Sequence, residues 1–399
     1  GLMDFFWSQY KNSYDETENR LLSSATLTYT IIPKLKLRGR IGNDFTSLGI
    51  EDRRYNEYPI AYNSGGSSTG SYSVSKGNYA ITYGDALLTY NDKISSDIDF
   101  SLTGGFQSRA EKYNDQYSGT QQGLISENWF SLANSVGVLD NSIGSKTKRQ
   151  ELLKYAYIGI ANISYKNYLF LEATGRSEYS SSLPPQNNNY KYVSLNSGFV
   201  FSDAFKMPNA ISFGKLRASY GIVGNDAPIY QSNIAYTQTP LQTVNGSVPS
   251  LTLPGAYGNS LLKPERKYET EFGAEMRFVN NRVGFDVSYY TNYIDDQILS
   301  LSTAPSTGAN SQLVNVGRIS NKGLEVSVSG TPIQTPDFSW KTRLNFSKNT
   351  SKLDYLNGNV PELIFFEADQ SSVRISAKPG ESLGNIYVYP RSTDANGNF

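Results

Sequence analysis

Residues 269–293 read ETEFGAEMRFVNNRVGFDVSYYTNY. Before the Asn280-Asn281 pair, Thr270, Phe272, Ala274, Met276 and Phe278 alternate with Glu269, Glu271, Gly273, Glu275 and Arg277. After it, Val283, Phe285, Val287, Tyr289 and Tyr293 face away from Arg282, Asp286, Ser288 and Asn292. A period of two with one apolar and one polar face is the signature of a β-strand. Asn tolerates positive φ, so the pair reads as a two-residue hairpin turn between two long strands. Working outward, 95–107 (Ile98, Phe100, Leu102, Phe106 on one face) and 338–347 (Phe338, Trp340, Leu344, Phe346) repeat the pattern. Weaker alternation covers 20–32, 34–46, 78–91, 150–165, 168–179, 190–202, 211–222, 313–330 and 381–391, for about 13 strands in all.

These segments run roughly 10–18 residues, well beyond the usual 5–6 and long enough to cross a bilayer at a tilt. Their connections alternate in size. Short ones fall at Pro33, 92–94, 166–167, 203–210, 280–281 and 331–337; long ones fall at 47–77, 109–149, 180–189, 223–265, 295–312 and 351–380. Short periplasmic turns opposite long extracellular loops are the asymmetry of an outer-membrane barrel. The expected fold is therefore all-β: part of an antiparallel transmembrane β-barrel, apolar face to lipid, polar face to a wet lumen. Lys36, Arg38, Arg40, Asp44, Glu172, Arg176 and Glu178 join the charged residues above on that inner face. A soluble β-sandwich array, as in a surface adhesin, alternates too, but predicts short strands with polar outer faces.

Composition narrows function further. The 399 residues include no Cys and no His, so no Ser–His–Asp triad, Cys nucleophile or His-bearing zinc site can be assembled from them. Thirty-six basic residues balance thirty-six acidic ones, which argues against a nucleic-acid partner. Mean hydropathy is −0.44, and no apolar run approaches the ~18 residues of a membrane helix. Thirty Tyr and 34 Gly fit strands and turns.

Several stretches resemble the SusC/RagA-type TonB-dependent outer-membrane transporters. They are YKNYLFLEATGRSEYSSSLPPQNNNYKYVSLNSGFVFSD (165–203), FGKLRASYGIVGNDAPIY (213–230), LLKPERKYETEFGAEMRFVNNRVGFDVSYYTNYIDDQIL (261–299), NVGRISNKGLEVSVSGTPI (315–333) and GESLGNIYVY (380–389). Physically these motifs are architectural. Pro264 belongs at a strand mouth because it cannot donate to a ladder. Gly317 and Gly323 mark bulges or close backbone approach. The resemblance implies energised import of a glycan or peptide through the lumen. Its implied partners are a SusD-like surface lipoprotein acting as a lid, the inner-membrane TonB–ExbB–ExbD complex and outer-membrane lipid. It also implies a plug domain and about 22 strands. Residues 1–399 thus read as part of one barrel domain, with the plug domain and C-terminal strands absent. A siderophore or cobalamin receptor without a lid is the alternative within the same superfamily.

No catalytic residue, metal site or cofactor is expected. Asp394-Ala395-Asn396-Gly397-Asn398 superficially matches the start of a calcium loop, but its Gly falls early, so a turn is the better reading. The candidates for substrate or partner contact are aromatic residues in the two longest amino-terminal loops. Tyr55, Tyr58, Tyr62 and Tyr72 lie in 47–77; Tyr113, Tyr117, Trp129 and Phe130 lie in 109–149, where ENWFSLANSV is expected to form a short helix. Such rings can stack on sugars, grip a partner, or pack on each other.

Overall fold

The structure is a computed structural model. It describes residues 6, 9–55, 69–137, 145–233, 236–243, 246–253, 255–302, 305–309, 311–356, 361–367 and 373–388. Twelve long strands form one sheet: β1 (Ser13–Ile32), β2 (Leu35–Arg54), β3 (Ser71–Ser95), β4 (Ile98–Gly119), β5 (Ser145–Tyr165), β6 (Leu169–Ser180), β7 (Asn189–Phe199), β8 (Ile211–Asn225), β9 (Glu265–Phe278), β10 (Val283–Asp295), β11 (Arg318–Gln334) and β12 (Ser339–Tyr355). Each pairs with its neighbours in chain order, an antiparallel meander from β1 to β12. The thirteenth expected strand, 381–391, instead contributes Asn385–Val388 to a separate three-stranded sheet with Leu363–Glu367 and Val373–Ala377.

The chain divides into two compact units. One comprises residues 1–29, 38–86 and 107–155, holding the loop-proximal parts of β1–β5; the other comprises 30–37, 87–106 and 156–399, holding their turn-proximal ends and all of β6–β12. In the second unit the register separates two faces. Glu271 opposes Tyr290, which opposes Gly323, which opposes Asn349; one step along, Phe272 opposes Tyr289, which opposes Leu324. The apolar positions are left open: Phe272 is 58% exposed, Leu344 71% and Phe346 55%. A water-soluble sheet would cover such a face, whereas a lipid-facing wall keeps it bare.

Long and short connections alternate as expected, with one inversion. The link 200–210 is longer than the loop 181–188, because the short helix Phe201–Ala204 occupies it. The turn after β9 is four residues rather than two. Val279, Asn280 and Asn281 all take left-handed φ, at 52°, 52° and 63°. The expected single strand over 313–330 is split. Ser311–Asn315 belongs to a loop sheet, and β11 begins after Gly317, whose φ of +77° and close approach to the Tyr355 carbonyl exclude a side chain. Gly323 makes room instead: the Tyr290 ring lies where its Cβ would be.

A single-layer wall has no central core, and the buried apolar clusters sit among the loops. Leu183, Tyr190, Ala227 and Leu262 pack together, joined by Tyr192, Ile298 and Leu313. Ile319, Leu353, Leu363 and Ala377 form a second cluster with Leu299, Leu301, Leu356 and Leu383. The loops of this unit are therefore folded substructures.

Candidate functional site

The polar face of β6–β12 carries a ladder of paired side chains. Glu172 accepts from Asn196 at 3.0 Å. Arg217 forks onto both oxygens of Asp286, at 2.8 and 3.1 Å, and stands 3.8 Å from Glu275, which also receives Arg277 at 2.7 Å. Asn321 donates to Asn292, which donates to Glu269; Tyr290 donates to Asn349 at 3.2 Å. A cleft of about 940 Å³ opens over this face toward the short turns, lined among others by Asp99, Phe170, Glu172, Asn196, Lys215 and Arg217. A second, of about 510 Å³, lies among Glu269, Glu271, Tyr290, Asn321, Glu325 and Asn349. Both signs of charge and many amide and hydroxyl groups point into one space. Such a lining can hydrogen-bond a polar solute or polar protein surface. Among the described residues no group of three acidic, His or Cys side chains is placed to hold a metal.

At the loop end of the same unit, side-chain amides sew separate loops together. Asn187 donates to the Leu262 carbonyl at 2.9 Å, and Asn259 to the Leu313 carbonyl at 3.0 Å. Asn315 accepts from the Lys263 N–H and donates to the Lys263 and Asp296 carbonyls, each at 2.8 Å. The LKPE and NVG motifs, 52 residues apart, are thus physically tied. Ser180 and Ser182, both buried, donate to Asp226, and Glu178 receives Arg176, Tyr190 and Tyr192. The result is a cross-braced platform built from the described residues of 181–188, 226–264 and 296–317.

In the other unit, Arg38 and Arg40 both bond the buried Asp85 on the inner face, and Arg20 forks onto Asp44. The structure brings three of the expected contact residues together. Phe130 lies 4.8 Å from Tyr55, edge to face, and 6.4 Å from Tyr72. Tyr72, Tyr113 and Tyr117 sit within β3 and β4 rather than in loops, with Lys148 over the Tyr113 ring at 5.5 Å. Trp129 is 59% exposed. The segment expected to be helical forms a 3₁₀ turn at Leu132–Asn134, fixed by the buried Asn134 amide bonding the carbonyls of Ser126 and Trp129. Tyr58, Tyr62 and the 394–398 turn lie outside the described residues. Sequence reasoning missed the platform's Asn braces; the position of Asn315 inside a family-like motif was the available signal.

Residues 49–387 match the family described as TonB dependent receptor-like, beta-barrel. Over 205 residues the chain is 33% identical to TonB-dependent receptor P26 of Formosa agariphila, covering 51% of this chain and 21% of that protein. It is 28% identical over 259 residues to TonB-dependent receptor SusC of Bacteroides thetaiotaomicron, covering 61% of this chain and 25% of SusC. In fold it is similar to the RagAB peptide transporter: the TM-score is 0.79 at 19% identity, over 94% of this chain and 40% of that one. The chain spans only a fifth to a quarter of those two curated relatives. With most of its length matched, an outward apolar face and a polar ladder behind it, the chain belongs to the TonB-dependent receptor-like β-barrel family and forms part of a barrel wall in the bacterial outer membrane.

Proposed function

We propose that residues 1–399 are part of one barrel domain of an energised importer that moves a glycan or peptide across the outer membrane. The plug and the remaining strands lie outside this sequence. The observation that carries the reading is the continuous polar face of β6–β12, with its two open clefts, behind a bare apolar face. The relatives named SusC and RagAB support a nutrient polymer over a small chelate as cargo. A SusD-like surface lipoprotein covers the platform as a lid, and the TonB–ExbB–ExbD complex acts through regions beyond this sequence. Trp129, which is exposed, and the half-buried Tyr55–Tyr72–Phe130 cluster are the residues here assigned to contact with that lid or with substrate.

The test is to purify the full-length protein from solubilised outer membranes and identify what accompanies it by mass. A stoichiometric surface lipoprotein is the expected result. A barrel recovered alone refutes the lid and favours a siderophore- or vitamin-type receptor.

A further inference from the structure

The outward positions of β9–β12 change character toward the long loops. On β11 they run Val328, Val326, Leu324, then Lys322, Ser320 and Arg318; on β12 they run Leu344, Phe346, then Lys348, Thr350 and Lys352. Register places Lys322 opposite Thr350, with Leu324 opposite Lys348 and Ser320 opposite Lys352. Lys322 is therefore the diagonal neighbour of both other lysines. Diagonal positions on one face lie about 7–8 Å apart at the backbone, so Lys348 and Lys352 each flank Lys322 and the like charges repel. Among the described residues only Lys352 of the three has a carboxylate within ion-pairing reach. Asp295 is held by the Arg318 fork at 2.5 and 2.8 Å; Asp354 accepts from Ser320 at 2.9 Å and stands 4.0 Å from Lys352 alone. At the opposite end of these strands the described outward positions carry no charge: Phe278, Val283, Gly330, Thr342 and Trp340.

Depth fits as well as charge. Beside the lysines, Tyr268 and Tyr293 stack at 4.7 Å, and the Arg318 guanidinium lies 4.4 Å over Tyr293 and 5.6 Å from Tyr355. An outward collar of tyrosines above an apolar band marks the membrane–water interface. Lysine stems there lie along apolar surface while their heads reach the headgroup layer. We propose that Lys322, Lys348 and Lys352 form a site for the phosphate groups of an anionic glycolipid in the outer leaflet. The bound lipid supplies the counter-charge that Lys322 and Lys348 lack and pins the membrane against this part of the wall.

The experiment uses the full-length protein in detergent micelles, titrated and read by native mass spectrometry. The probes are bis-phosphorylated lipid A, the same lipid with its phosphates removed, and inorganic phosphate. Wild-type protein is expected to bind the phosphorylated lipid at least about tenfold more tightly than the dephosphorylated one. The combined Lys322→Gln, Lys348→Gln, Lys352→Gln variant is expected to lose about a hundredfold for the phosphorylated lipid, roughly fivefold per lysine. Its binding of the dephosphorylated lipid should stay the same. Equal wild-type affinity for the two lipids, or an unchanged affinity in the variant, overturns the proposal. So does displacement of the lipid by millimolar inorganic phosphate, which would indicate a free-anion site. The wild-type comparison needs no variant, and so decides the matter even where the triple variant fails to assemble.

Discussion

Replacing Asn315 with Ala should unfasten the extracellular platform while leaving the wall intact. Its side chain makes three hydrogen bonds to backbone groups of two other segments, at Lys263 (two) and Asp296. Each bond contributes about 1 kcal/mol net. The two at Lys263 are exposed, so water replaces part of their value, and the sum falls from about 3 to about 2 kcal/mol. That corresponds to roughly a 30-fold rise in local opening, which hydrogen–deuterium exchange of the full-length protein in detergent reads directly. The Lys263 amide and those of 296–316 should exchange about 30-fold faster, with β9 and β10 unchanged. Asn315→Asp should be at least as damaging: it keeps the acceptor for the Lys263 N–H but turns an oxygen toward two carbonyls. The reasoning fails if the Lys263 amide exchanges within about twofold of wild type, or if β9 and β10 accelerate equally.

Leu353 is 1% exposed at the centre of the second loop cluster, so Leu353→Ala should cost that substructure about 2–5 kcal/mol. Limited proteolysis of the full-length protein should then cut within 361–388 first, and resistance equal to wild type would contradict the packing role. The Tyr387 hydroxyl, the Asn385 amide and the Lys378 N–H hold the Glu381 carboxyl below its usual range. A depressed carboxyl stabilises its surroundings above the ordinary Glu pKa, and that contribution fades as pH falls through the lower, folded value. Protection of the 380–388 amides, taken relative to their intrinsic exchange rate at each pH, should therefore fall on acidification, and Glu381→Gln should flatten that response; an identical pH profile in the variant would count against the assignment. Trp129→Ala should leave stability within about 0.5 kcal/mol yet lower recovery of a lipoprotein lid. Phe130→Ala should loosen the Tyr55–Tyr72 cluster whether or not a lid exists. Undiminished lid recovery with Trp129→Ala would remove that residue from the interface.

Legibility in the sequence followed exposure. Where one face meets lipid and the other water, as in 269–293, the period of two was plain and both strands and the turn between them could be placed. Beyond the lipid band both faces of a strand meet water and the alternation disappears. That is why β2 runs to Arg54, β3 starts at Ser71 and β4 runs to Gly119, so that Tyr72, Tyr113 and Tyr117 read as loop residues. Gly317 hid a strand break because apolar residues recur on both sides of it, at Leu313, Val314, Val316 and Ile319. The loop platform was out of reach for another reason. Its braces join Asn187 to Leu262 and Asn259 to Leu313, and no local pattern states which distant carbonyl an Asn will find. Of the inner-face charges, Arg176 and Glu178 were identifiable by alternation, but their pairing with each other and with Tyr190 and Tyr192 was not.

The central claim is that one face of this wall meets lipid and the other a wet lumen. The most direct test places single cysteines, one at a time, in a cysteine-free form of the full-length protein in native outer membranes. Nitroxides at Phe272, Leu324 and Phe346 should be relaxed by oxygen dissolved in lipid and shielded from a water-soluble paramagnetic complex. Nitroxides at Glu271, Glu325 and Ser347 should show the reverse. Equal accessibility to both reagents on the two faces, or an inverted pattern, would contradict the account.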